Sequence, residues 1–247
     1  MKKTNYFYID EAGHVNNDSA IFLYGCIKTD TPSTLEKSIE ELKSSIIEEV
    51  YYEDFRKSLI ERNFHAVDDH FDIRAEMYKI LPYLNFRGYF VVTNKMSSYF
   101  KNLKKEKEDY EIIDLMLRKL IKPRVSKNRE DKNCFIFETL EVEKKSLKNI
   151  LDELFSGLSK KYDVEYEIVG KENVNMAVID YVNYNLYSVL NPNDKPQKRT
   201  LQNFEILKDK IALINVLDDN SFYSRKGDLE HLVEIKNIRN KMAGDRG

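Results

Sequence analysis

Apolar and polar positions along the chain fall into short alternating runs separated by longer amphipathic stretches. Asn5-Tyr6-Phe7-Tyr8-Ile9 is aromatic and β-branched and predicts a strand ending at Asp10-Glu11. Gly13 and the polar run from His14 to Ser19 predict a turn. The apolar run Ala20 to Lys28 then predicts a second strand, paired with the first as a hairpin. Thr31, Pro32 and Ser33 mark a helix start, and Leu35, Ile39, Leu42, Ile46 and Val50 recur after them at helical spacing. Asn63-Phe64-His65-Ala66 is a short link before a helix over about 69–81.

Further strands are expected at 86–93 (with Gly88 as a bulge), 134–140, 163–169 and 211–217. Further helices are expected at 97–122 (ended by Pro123), 143–159 (weakened at Gly157), 173–190 and 228–241. This order predicts an α/β fold, a mixed sheet flanked by helices. The segment Asn191-Pro192-Asn193-Asp194-Lys195-Pro196 is the clearest break. The expected organisation is therefore one domain over 1–190, with helical insertions at about 30–84 and 97–122. A small strand/helix extension over 191–247 follows, its end at Gly244 to Gly247 disordered.

Composition changes this picture little. With 247 residues, 42% hydrophobic and 33% charged, the chain is long enough to bury a real core. No window of about 18 apolar residues appears, so no membrane span is expected, and from Met1-Lys2-Lys3-Thr4-Asn5-Tyr6 no signal peptide is expected. The 2 cysteines, Cys26 and Cys134, sit in apolar runs and read as buried reduced thiols, which suggests the cytoplasm. A net charge of −2, from 40 basic and 42 acidic residues, excludes a uniformly basic nucleic-acid coat protein and says nothing of local patches.

Candidate chemistry lies in carboxylates placed where packing residues belong, because an unpaired charge costs several kcal/mol to desolvate. Between Asn173 and Asn193, Asp180 is the one charged side chain, and its helical neighbours are Met176, Ala177, Asn183 and Tyr184. At the end of the first strand, Asp10 continues the alternation of Tyr6 and Tyr8, and Glu11 that of Phe7 and Ile9. Glu138 lies inside Cys134-Phe135-Ile136-Phe137-Glu138-Thr139-Leu140 and shares a face with Cys134 and Ile136. A turn acid, an edge-strand Glu and an acid at a helix edge account for each of these taken singly. Taken together, two strands and a late helix bring Asp10, Glu138 and Asp180 toward one point. Oxygen-only ligands of this kind suit Mg²⁺ or Mn²⁺. His65 is the histidine best placed to shuttle a proton, and His14 is a weaker candidate.

Tyr8-Ile9-Asp10-Glu11-Ala12-Gly13, followed by a second strand, resembles the opening of the bacterial and phage domain-of-unknown-function family 3800. Asn63-Phe64-His65-Ala66 resembles its short central motif, and Asn175-Met176-Ala177-Val178-Ile179-Asp180-Tyr181-Val182 its late helix. The three occur in the family's order across about residues 5–190. The resemblance implies a ribonuclease-H-like fold and a two-metal nuclease. Asp10, Glu138 and Asp180 would then be the metal ligands, with Glu11 and His65 beside them as catalytic candidates. Ala12 stands where the family usually has Ser, Ala177 where it commonly has Gln, and Asn63 where an acid is expected. A catalytically silent binding or regulatory module of the same fold is the alternative.

A nucleic-acid partner is expected from a run with no acid, containing Arg118, Lys119, Lys122, Arg124, Lys127 and Arg129. Because it directly precedes the Glu138 strand, it is expected close to the carboxylates. Lys195, Lys198 and Arg199 form a second small cluster. The internal glycines never come in close pairs, so neither a P-loop nor an actin-like phosphotransferase is supported, and no nucleophile elbow points to a serine hydrolase.

Overall fold

In chain order the strands are β1 (Thr4–Ala12), β2 (Ile21–Thr29), β3 (Arg87–Asn94), β4 (Lys132–Glu138), β5 (Val164–Val169), β6 (Ile211–Val216) and β7 (Ser221–Ser224). The computed structural model describes residues 2–16, 19–139, 145–170, 172–193 and 195–243. Among these, the strands form one mixed sheet in the order β5-β4-β1-β2-β3-β6-β7. β1, β2 and β3 make an antiparallel meander with Asp10 opposite Gly25. β4 joins β1 in parallel and β5 joins β4 in parallel. β6 runs parallel to β3, with a register shift at Gly88/Tyr89 where the bulge is expected, and β7 closes the far edge antiparallel to β6.

Alternation along the strands sorts the core into two layers. Phe7 and Ile9 of β1 face a layer made by α4 (Ser98–Glu106), α5 (Asp109–Lys127) and α6 (Leu147–Leu158). Tyr8 faces the other layer, made by α1 (Pro32–Glu48), α2 (Glu53–Glu61), α3 (Phe71–Ile80), α7 (Met176–Leu190), α8 (Lys198–Leu207) and α9 (Ile235–Ala243). β2 is buried at eight of its nine positions because both layers cover it, whereas β5 at the edge alternates between half-buried and exposed. In α6, Leu147, Ile150, Leu151, Leu154, Phe155 and Leu158 make one apolar stripe. α7 is buried almost all round, since it lies on β1 and β2 and is itself covered by α8 and α9.

Several expectations are corrected. α5 runs through Pro123 to Lys127. An interior proline costs a helix about 3 kcal/mol, and here the burial of Leu120, Ile121 and Val125 on both sides of it offsets that cost. The single helix expected over 97–122 is two, split where Glu108 and Glu111 form a reciprocal capping box at the start of α5. Helices α2 and α8 and strand β7 are additions to the expected list. The strand expected over 134–140 begins at Lys132, and the helix expected from 228 begins at Ile235. The C-terminal stretch is no appendage. β6 pairs with β3 inside the sheet, and Phe204, Leu207, Ile214, Val216 and Ile238 belong to the same core layer as α7. The final residues 244–247, the start expected for the 143–159 helix and Leu140 lie outside the described residues.

Candidate functional site

The parallel strands β1 and β4 end at the same edge of the sheet, which brings Asp10, Glu11 and Glu138 together. Asp10 and Glu138 follow Tyr8 and Ile136 onto the α7 side, as the alternation predicts. α7 supplies Asp180, and its close approach depends on Gly25, the β2 residue opposite Asp10. A Cβ on Gly25 would lie 1.9 Å from Asn183 Oδ1 and 2.8 Å from Ile179 Cδ1. Asn183 Nδ2 donates to the Asp10 carbonyl at 3.0 Å, which ties the helix to the strand beside the acid.

The fourth wall is the loop between α2 and α3. The backbone N–H of Ala66 donates to Asp180 Oδ2 at 2.7 Å. Asp69, buried beneath this loop, accepts the backbone N–H of His65 at 2.8 Å and the Tyr181 hydroxyl, and it pairs with Arg62 at 3.0 Å. Arg74 Nη1 donates to the Ala66 carbonyl at 2.9 Å and to the Tyr184 hydroxyl at 3.1 Å. Asn63 Nδ2 donates to the Glu172 carbonyl at 3.1 Å. The loop is thus stitched to α7 at Asp180, Tyr181 and Tyr184 and to the segment before α7 at Glu172. His65, Glu138, Ala177 and Asp180 share the walls of a pocket of about 20 Å³, roughly the room one water needs. His65 Nδ1 stands 3.2 Å from Asp68 Oδ2.

Electrostatics single out the same place. Burial pushes the Asp10 carboxyl well above the ordinary range, and the charges of Glu11, Asp180 and Glu138 push it further. Glu11 is raised to about 7 by burial and then by Glu138. Asp180 is raised to about 6, chiefly by burial, against the opposing pull of the Ala66 N–H and His65. Among the described residues, no lysine, arginine or histidine forms an ion pair with any of these four carboxylates. As placed, no three Asp, Glu, His or Cys side chains among those residues form a ready metal cage. The donor chemistry fits a hard divalent cation.

Three residues of this site escape the sequence patterns. Asp69 reads as an ordinary helix-start acid, Asn183 as a polar helix residue, and Tyr24 as one more apolar position in β2. Tyr24 lies opposite Glu11, and its buried hydroxyl has no hydrogen-bond partner. Burial, then Glu11 and Asp10, hold the phenol protonated far above its usual range. His14 is exposed on the turn after β1, with its carbonyl accepting from Lys95 Nζ.

The basic run is not beside the carboxylates. α5 ends where β4 begins, so Arg124, Lys127 and Arg129 stand at the opposite edge of the sheet, on the opposite face. A chain-adjacent run can lie a whole strand length away when that strand separates it from the site. Three of the six cations are engaged locally: Arg118 with Asp114 at 2.6 Å, Lys119 with Asn220 at 2.6 Å, and Arg129 with Glu130 at 3.1 Å. Lys122 is exposed.

No model of a known protein family matches the sequence, and a search of curated proteins finds no match. Among the described residues, no helix is long and apolar enough to cross a membrane.

Proposed function

We propose that this chain is a divalent-metal-dependent nuclease of ribonuclease-H-like fold, acting on a phosphodiester at the carboxylate end of the sheet. The observation that carries the reading is the gathering of Asp10, Glu11, Glu138 and Asp180, none of which forms an ion pair with a lysine, arginine or histidine among the described residues. Evolved sites accept such cost where a bound cation offsets it. The seven-stranded mixed sheet, with β2 antiparallel to β1, β4 parallel to it and helices on both faces, is compatible with that fold.

Asp10, Glu138 and Asp180 would hold Mg²⁺ or Mn²⁺, which supplies Lewis-acid stabilisation of charge on the phosphoryl oxygens. The protein residues do the positioning. The Ala66 N–H fixes Oδ2 of Asp180, whose side chain belongs to the pocket wall. Asp69 fixes the loop so that the His65 ring stands at the pocket wall, where it can accept or return a proton. Glu11 of β1 and Tyr24 of β2 lie on the other face of the sheet, so Glu11 acts on the site through its charge.

The test is Mn²⁺- or Mg²⁺-dependent cleavage of single- and double-stranded RNA and DNA. Wild type should cleave at least one of them, and Asp10→Asn and Asp180→Asn should each lower the rate by 100-fold or more. Cleavage that survives both substitutions would end this reading. One observation favours the silent-module alternative: among the described residues no three Asp, Glu, His or Cys side chains, as placed, stand close enough to share an ion. A protein that binds Mn²⁺ but cleaves nothing would make that alternative the correct one.

A further inference from the structure

Arg124 is the second place where charge is buried without a partner. It lies in the last turns of α5, is only 8% exposed, and its Nε has no hydrogen-bond partner among the described residues. The guanidinium stacks over the Tyr89 ring at 4.1 Å from the centroid. Among the described residues, no carboxylate forms an ion pair with it. A guanidinium in this setting ordinarily has a bidentate anionic partner, since its planar fork of donors matches the oxygens of a carboxylate or phosphate.

The surroundings add positive charge. A cavity of about 300 Å³ is walled by Arg87, Tyr89, Arg124, Lys127, Arg225 and Lys226, with no acid among its lining residues. An adjoining cavity of about 380 Å³ shares Arg87, Arg124 and Lys127 and adds Lys28. Its wall includes Asp131, which is already occupied by Asn5 Nδ2 at 3.1 Å and the Lys3 backbone N–H at 3.3 Å, and also Asp30. The acid-free cavity is therefore the one that attracts an anion. Arg225 is oriented by donating to the Asp209 carbonyl at 2.6 Å, whereas Lys127 and Lys226 are exposed at the rim.

We propose that the acid-free cavity around Arg124 is a phosphate-binding site, with Arg124 as its buried fork and Arg87, Lys127, Arg225 and Lys226 as its rim. Phosphate is the fitting class because it offers several oxygens at once to one planar fork and to surrounding ammonium groups. A volume near 300 Å³ holds a phosphate with a substituent attached, either one nucleotide of a strand or a free phosphoester. The site stands on β3, β6, β7 and α5, on the face of the sheet opposite the one that carries Asp10 and α7, so it is independent of the nuclease reading.

The experiment is calorimetric titration of the full chain with inorganic phosphate and, separately, with a single-stranded oligothymidylate of twelve nucleotides. Ionic strength is held constant with NaCl, because any basic surface gathers polyanions at low salt. Wild type should bind at least one ligand saturably. Arg124→Met should weaken that binding tenfold or more. The double variant Lys127→Ala/Lys226→Ala, which changes only exposed rim residues, should weaken it three- to tenfold while leaving the melting temperature unchanged. Tighter binding of the oligonucleotide than of inorganic phosphate assigns the site to a nucleic-acid backbone. Binding of inorganic phosphate alone assigns it to a free phosphate group. No saturable binding of either ligand, or binding unchanged in both variants, overturns the proposal.

Discussion

The two ends of the sheet bury charge of opposite sign and do so in different ways. At the β1–β4 end, Asp10, Glu11, Glu138 and Asp180 come from three elements widely separated in the chain. A loop anchored by Asp69 presses a fourth segment against them. At the other end, Arg124 and Lys127 come from one helix and lean over strand ends that carry Arg87 and Arg225. At the acidic end, burial first and neighbouring acids second raise the proton affinity of Asp10, Glu11 and Asp180. The basic cluster opens onto a cavity of about 300 Å³, where water screens its members. Crowded like charge has to be enforced by rigid packing, whereas dispersed like charge around a cavity needs only an exposed rim.

The sharpest way to break the comparison is to remove that packing. Gly25→Val would drive a side chain into Asn183 and Ile179, and should destabilise the fold by about 3 kcal/mol in urea denaturation. A loss below about 1 kcal/mol would mean that α7 is not held at this distance by β2.

Titration of the acidic end gives the next largest effect. Glu11 at about 7 and Asp180 at about 6 lie above the carboxylate values of an unfolded chain. Between roughly pH 4 and 7 the folded protein therefore holds protons that the unfolded chain has released. The stability contributed by these raised groups is present in mild acid and is lost as pH rises through 6 and 7. In chelator-containing buffer the denaturation midpoint should fall from pH 5.5 to pH 8, by a few kcal/mol at most. Asp10→Asn should flatten that slope and raise stability at pH 8 by about 1 kcal/mol or more. A wild-type protein more stable at pH 8 than at pH 5.5 would show that the acids are not crowded as described.

The smallest effect is expected at the basic end. Arg124→Met replaces a stacked guanidinium by a flexible apolar chain over Tyr89 and should change stability by less than about 1 kcal/mol. If it cost 3 kcal/mol, Arg124 would be a packing residue first, and the contrast between the two ends would lose its second half.

Much of the sheet was legible because strand alternation and apolar runs are local properties. The hairpin of β1 and β2 and the side to which Asp10 and Glu138 point both follow from period-two patterns. The extra helices were harder to read. α2 carries a single fully buried residue, Leu59, so its periodic signal is weak. Pro123 misled because its local cost is legible, while the burial that outweighs it is not.

The candidate site divides along the same line. By itself the sequence determined that Asp180 interrupts an apolar helix, that Asp10 and Glu11 end a strand on opposite faces, and that His65 lies in a short link. Each of these is a statement about neighbours in the chain. Only the tertiary structure decided that Asp69 anchors that link, that Gly25 admits α7, and that the acid-free basic run belongs to the far end of the sheet. Those facts depend on strand order and direction. A strand carries the chain from one edge of the sheet to the other, so residues close in sequence part and distant ones meet.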